Sequence, residues 1–300
     1  MPTSNSPPHV FTGSIDDAYR YCEQLAFSRY ENFPVASRFI SREKRKHVAA
    51  IYAFARIADD VADEPGLTPE DRLRELQRWE AQLAESYRGG TSHPVFAALG
   101  DTARRFQIPQ NHFQNLLAAF RSDVTVRRYE SFDDVLAYCR NSANPVGRLV
   151  LLLFGYKDEQ MIGWSDKICT ALQLTNFWQD LSIDLERDRV YIPLEDLRKF
   201  NLGVQDIQGK RFSPAFRDLM EFEVQRTRDL FEQGKPLLAN VGKNLSLEMK
   251  LTWLGGTHIL EKISRLDYNV LHRRPTLSFV DKSSLLLRAL ILINPRTTNQ

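Results

Sequence analysis

The run Tyr52-Ala-Phe-Ala-Arg-Ile-Ala-Asp-Asp-Val-Ala-Asp-Glu-Pro65 places the strongest constraint on the fold. It is apolar and Ala-rich, the composition of a packed helix, yet three aspartates and a glutamate crowd its end. Tyr52, Arg56, Asp59/Asp60 and Asp63 recur at helical spacing and so share one face. Acids at a helix C-terminus oppose the macrodipole at a cost of about 0.3–1 kcal/mol each, and Asp59 repels Asp63 across one turn. Bound cations would offset both penalties. Thr170–Asp184 repeats the design, with Gln173, Asn176, Asp180 and Asp184 following one another along a second helical face.

The rest of the chain reads as helices. Ser14-Ile-Asp-Asp is an N-cap followed by first-turn acids and opens a helix to about Tyr30. Pro34 breaks the chain, and Ser41 starts the helix that runs to Glu64, where Pro65-Gly66 stops it. Thr68-Pro-Glu-Asp opens a charged helix to about Arg88. His93–Phe106, Pro109–Arg121 and Val135–Arg140 follow. Asn144-Pro145 interrupts, as a simple helix junction or a break whose backbone lines a polar cavity. Val146–Gly155 is apolar and expected to be buried. Lys157–Asp184 is one long helix, Arg189–Pro193 an extended turn, Leu194–Phe200 a short helix and Asn201–Phe212 a loop. Helices are expected from Ser213 to about Asn240, kinked near Gly234 and Pro236, and over Ser246–His272 and Lys282–Ile293. No alternating strand, internal repeat or linker interrupts this pattern. The expectation is a single all-α domain over residues 13–295, a helical bundle around a central cavity, behind a disordered N-terminus at 1–12.

Composition narrows the function classes. The 300 residues carry a net charge of +2, which points to no nucleic-acid partner. Three cysteines without C-x-x-C spacing argue against a disulfide framework or a zinc site and fit a reducing compartment. No signal-peptide core precedes the first helix, and no apolar run approaches the ~20 residues that span a bilayer. Leu285–Ile293 reads as a terminal core helix in preference to a membrane-surface contact. A cytoplasmic protein is expected, with peripheral contact at the inner membrane and the oligomeric state both left open.

The two acidic faces suggest a chemistry. Helix rise puts Asp59 and Asp63 about 6 Å apart along the axis, and Asn176, Asp180 and Asp184 repeat that step. Oxygen ligands without histidine or cysteine suit Mg²⁺, which keeps several waters and takes one or two carboxylates plus phosphate oxygens. Arg56, one turn before Asp59, and Arg187 and Arg189, after the second face, could contact a diphosphate. For the last two, complementing the helix dipole is an equal reading. Nucleotide-binding glycine motifs are absent.

Tyr52–Glu64, Tyr138–Gly147 (Y-C-R-N-S-A-N-P-V-G) and Gln173–Pro193 (Q-L-T-N-F-W-Q-D-L-S-I-D-L-E-R-D-R-V-Y-I-P) closely resemble the squalene/phytoene synthase family of isoprenoid diphosphate synthases. The likeness spans roughly residues 15–290. Glu31–Arg38, Ser142–Gly147 and Asn176–Asp180 resemble the branch that turns presqualene diphosphate into hydroxysqualene for hopanoid synthesis. Head-to-head condensing members more often carry a Ser-Phe pair near position 33, a basic residue where Gln179 stands, and Gly-Glu-Asp in place of Ser182-Ile-Asp184. The resemblance implies Mg²⁺ held by Asp59, Asp63, Asn176, Asp180 and Asp184, with Tyr52 and Arg56 orienting the leaving group. It implies substrate contacts from Phe33, Arg56, Gln173, Phe177, Arg187 and Arg189, and cation-stabilising rings among Phe33, Phe54, Phe177, Trp178 and Trp253. Tyr268 could line the far end of the cavity or pack structurally. Two alternatives stand beside this one: a condensing synthase making presqualene diphosphate, squalene or phytoene, and a non-catalytic assembly factor of the same fold.

Overall fold

The computed structural model describes residues 11–28, 41–90 and 93–291. The expected disordered segment at 1–12, the break at Pro34 and the substrate contact Phe33 therefore fall partly or wholly outside the described residues. Helices dominate, and the one β-type pairing among the described residues is an isolated parallel bridge between Arg128 and Val190. The all-α expectation holds.

The chain divides into two compact units. The first comprises residues up to Thr125 together with Arg148–Lys157. It contains α1 (Ile15–Ser28), α2 (Arg42–Asp63), α3 (Pro69–Tyr87), α4 (Pro94–Phe106) and α5 (Asn111–Thr125). Their starts follow local chemistry. The Ser41 and Thr68 side chains accept backbone N–H bonds at the heads of α2 and α3, and Pro sits in the first turn of α3 and α4, where its missing N–H costs nothing. The core is aromatic at its centre. Phe54 of α2 meets the rings of Trp79, Phe96 and Phe113, and the Trp79 indole donates to the Phe54 carbonyl. Ala49, Ala50, Ala53, Ala58 and Ala62 are buried, which lets neighbouring helices approach α2 closely. Beside this core, the Tyr19 hydroxyl joins His47 Nδ1 (3.0 Å), Asp101 (2.7 Å) and Thr102 (3.0 Å) in a buried polar network.

The second unit comprises Val126–Gly147 and residues from Asp158 onward. It contains α6 (Phe132–Ser142), α8 (Glu159–Asp184), α9 (Leu194–Lys199), α10 (Val204–Gln208), α11 (Pro214–Gly234), α12 (Leu237–Asn240), α13 (Lys243–Arg265) and α14 (Phe279–Ile291). Its axis is α8, packed on α11. Trp178 is fully buried, and its indole donates to the Thr227 hydroxyl at 2.9 Å. Between the units' segments lies α7 (Asn144–Leu153), whose first residues belong to unit two and the remainder to unit one.

One open reading is decided and three expectations change. Asn144-Pro145 interrupts the chain as a helix junction: α6 ends at Ser142, and Pro145 occupies the first turn of α7, where proline fits. The buried Asn144 carboxamide accepts from the Thr170 hydroxyl at 2.9 Å, so it joins α7 to α8 as a junction. The loop expected at 201–212 contains the short helix α10, capped by Asp206 bonding back to the Gly203 N–H. α13 ends at Arg265, well before His272, because Asp267 and Tyr268 take left-handed φ of 53° and 62° and the Tyr268 N–H turns back to the Ile263 carbonyl. Finally, α14 is only half core. Leu285 and Ala289 are buried, whereas Leu287 and Leu290 face water. No described helix is long and apolar enough to cross a membrane.

Candidate active site

The first acidic face forms as its spacing predicts, at the C-terminal end of α2. Arg56 reaches forward along the helix to Asp60 at 2.7 Å and to Asp59 at 3.4 Å. This pairing supplies part of the positive charge that the helix end lacks. Asp60, absent from the expected ligand set, is thus the arginine's nearer partner. Both carboxylates are partly open to water, and Asp63 is exposed. The guanidinium remains firmly charged, because although burial opposes its charge, Asp60 and Asp59 together more than offset this. Its Nε is buried with no hydrogen-bond partner among the described residues. Tyr52 lies on the same helix, half-buried.

The second face belongs to α8. Ile168, Ala171, Leu174, Phe177, Trp178 and Leu181 are buried. The water-facing strip left over carries Gln173, Asn176, Asp180 and Asp184, of which Asn176 is the most open. Asp180 is held by Arg274, whose Nε donates at 2.6 Å and whose second nitrogen donates at 3.3 Å. Gln179 lies off the strip, as its periodicity predicts, and its amide donates to the Pro275 carbonyl at 2.6 Å. The segment around Arg274-Pro275 is therefore fastened along the end of α8. Arg274 closes the short basic run His272-Arg273-Arg274, a pattern whose ordinary meaning is a solvated surface.

After α8 a single 3-10 turn at Leu185–Arg187 ends on Asp188 with a left-handed φ of 56°. Arg128 clasps Asp188, and the Val190 and Leu194 N–H groups bond to the Arg127 and Tyr129 carbonyls. This fixes the extended turn. It leaves Arg187 exposed and buries the Arg189 side chain, so the two arginines expected to act alike stand in different surroundings.

The aromatic expectations divide. Phe54 and Trp178 are fully enclosed core residues, and Trp253 donates its indole N–H to the Phe231 carbonyl. These three pack structurally. Tyr268 also packs, with its hydroxyl on Glu221. Phe177 differs, because it stacks on Tyr191 with centroids 3.7 Å apart in a cluster that includes Tyr138 and Tyr129. Tyr129 joins this cluster through Tyr138 and Tyr191.

The donor set can be tested against Mg²⁺. Each face offers oxygen donors one helical turn apart, partly open to water, with no nitrogen or sulfur ligand beside them. This suits a hard cation that retains its own waters. No group of three or more His, Cys, Asp or Glu converges among the described residues, so each face could supply only the one or two carboxylates that Mg²⁺ takes.

The squalene/phytoene synthase profile matches residues 28–281, which include both faces. The chain belongs to the squalene/phytoene synthase family. Within this family it is 36% identical over 243 residues to a hydroxysqualene synthase of Rhodopseudomonas palustris, covering 80% of this chain and 81% of the relative. It is 29% identical over 284 residues to a phytoene synthase of Arthrospira platensis, covering 90% and 92%. Among solved structures it matches squalene synthase HpnC from Alicyclobacillus acidocaldarius with a TM-score of 0.82 at 38% identity, over 85% of this chain and 96% of that one. Squalene/phytoene synthases process isoprenoid diphosphates.

Proposed function

We propose that the chain converts presqualene diphosphate and water into hydroxysqualene and diphosphate, as a step of hopanoid synthesis. The observation that carries this reading is the Gln173–Asn176–Asp180–Asp184 strip of α8, which lines up oxygen-bearing side chains that are exposed at Asn176 and partly exposed at the other three. The 36% identity to a hydroxysqualene synthase supports the choice of reaction. So does the neutral Gln179, engaged with Pro275 where condensing members more often place a base.

Asp59 and Asp63 on α2, and Asn176, Asp180 and Asp184 on α8, would hold Mg²⁺. Bound at either face, Mg²⁺ would supply positive charge to the departing diphosphate. Arg56 adds a guanidinium that stays charged throughout, and Tyr52 a hydroxyl one turn away; together they orient the leaving group. Gln173 and the exposed Arg187 extend the polar contacts, with Phe33 and Arg189 as further substrate contacts. Loss of diphosphate leaves a cyclopropylcarbinyl cation, which rearranges to an allylic cation. The Phe177 cluster offers polarisable ring faces to such charge. Water adds its oxygen to carbon and releases a proton, so no reductant is consumed.

Product analysis by mass spectrometry tests this reading. Purified protein with Mg²⁺ and no reductant should turn presqualene diphosphate into the alcohol and leave farnesyl diphosphate untouched. A second reading, a head-to-head condensing synthase, is favoured by the phytoene synthase match over 90% of the chain. Consumption of farnesyl diphosphate on its own would establish it. If Asp59→Ala and Asp180→Ala left function in cells intact, the non-catalytic assembly factor would replace both.

A further inference from the structure

α14 is amphipathic in an unusual sense, because its apolar residues occupy two separate faces. Leu285 and Ala289 pack inward with Leu254 of α13. On the other side Phe279, Val280, Leu287 and Leu290 are 84%, 75%, 61% and 47% exposed. At about 100° per residue, Leu286, Phe279, Leu290, Ser283, Leu287 and Val280 fall within an arc of about 120°. Four large apolar side chains in water along one stripe have a cost that a monomer in solution does not recover.

The helix cannot roll to hide this stripe. Asp281 in its first turn accepts from the Ser278 N–H (2.7 Å), pairs with Lys262 and meets His258 Nε2 at 3.1 Å. These bonds pin α14 to α13 and use up its one acid. The charges left exposed on the helix are Lys282 and Arg288, which flank the stripe on opposite sides, and His272 and Arg273 are exposed just before it. On the helix itself the stripe is therefore apolar with cationic margins at Lys282 and Arg288.

We propose that this face of α14 is a docking surface for an anionic lipid bilayer, lying flat in the headgroup region. Thirteen residues make a helix about 20 Å long, too short to span and suited to lying in the interface. Apolar residues would enter the acyl boundary while Lys282 and Arg288 meet lipid phosphates. A second copy of the chain fits less well, because a self-complementary contact across this stripe would bring cationic margins together. The surface stands independently of the reaction chemistry.

Flotation of the full chain with lipid vesicles tests the proposal. Binding is expected to vesicles of phosphatidylcholine containing about 30% phosphatidylglycerol, weaker to phosphatidylcholine alone, and reversed by about 0.5 M salt. Leu287→Asp, and separately the pair Lys282→Glu and Arg288→Glu, should each reduce binding about tenfold or more with unchanged thermal unfolding. If Leu287→Asp unfolds the chain, Phe279→Ser serves instead, because its ring is the most exposed of the four. Three results would overturn the proposal. One is absence of flotation, or flotation that these variants leave unchanged. Another is a dimer in solution that Leu287→Asp splits. The last is flotation seen only after residues 292–300 are deleted, which would mean that the chain's own end covers the stripe.

Discussion

Arg56 and Arg274 each grip a carboxylate that a divalent cation would also seek, and both grips lie at water-exposed helix ends. With Asp180 as a proposed Mg²⁺ ligand, Arg274 would compete with the ion for it. The pair is partly exposed, and such pairs contribute about 0.2–1 kcal/mol. Arg274→Gln should thus lower the Mg²⁺ concentration for half-maximal activity by about 1.4- to fivefold. An increase would instead give Arg274 a direct part in holding diphosphate. Asp180→Asn should cut kcat by about a hundredfold or more with the circular dichroism spectrum unchanged. Retained activity would remove Asp180 from the site. At this scale the sequence was readable where periodicity decides, as for Asn176, Asp180 and Asp184. It was silent on Arg274, which lies 94 residues from Asp180 and meets it only through the turn after α13. Asp60 was visible, but nothing in the spacing ranked it above Asp59 as the partner of Arg56.

Helices begin where side chains can satisfy their first N–H groups, and this made most elements legible. Ser41, Thr68, Ser131, Asp158 and Ser213 each cap as expected of their residue types. Helix ends set by tertiary contacts were not legible. The left-handed turn at Asp267 and Tyr268 has no glycine to announce it. Close packing between helices gives another prediction. A Cβ on Gly147 of α7 would stand 2.5 Å from Cys169 Sγ, and nearer still to Ser165 Oγ, on α8. Gly147→Ala should therefore destabilise the protein by about 1–3 kcal/mol in urea unfolding; an unchanged midpoint would mean that the two helices separate freely there. α11 has its own signature. Glu223 is fully buried beside Asp196 and Arg226, and burial pushes its carboxyl up to about 8, with the neighbouring Arg226 charge only partly opposing this. A glutamate in the unfolded chain loses its proton near 4.3, so between that pH and about 8 the folded state binds the extra proton and stability falls as pH rises. Glu248, raised to about 7, adds to the same slope, while His47, lowered to about 4 by burial, acts in the opposite sense below its ordinary range. The difference between wild type and Glu223→Gln isolates the first of these. The variant's Tm should gain on wild type steadily from about pH 5 to about pH 8, and a constant difference would contradict the buried neutral carboxyl.

For the molecule as a whole, the two acidic faces belong to separate compact units, α2 to the first and α8 to the second. The family was readable from the sequence because each face is a local pattern on a single helix, and Tyr138–Gly147 is one continuous stretch across the junction of α6 and α7. The grouping of residues was not, because the chain passes between units at Thr125, Gly147 and Lys157 without any linker composition to mark it. The central claim of the proposed function is that water attacks carbon after diphosphate has left. Turnover of presqualene diphosphate in ¹⁸O-labelled water measures this directly by the mass of the products. The alcohol should carry one solvent oxygen on a rearranged carbon skeleton, with unlabelled diphosphate released. An unlabelled alcohol with the label in phosphate would mean that the P–O bond breaks instead, and would contradict the claim.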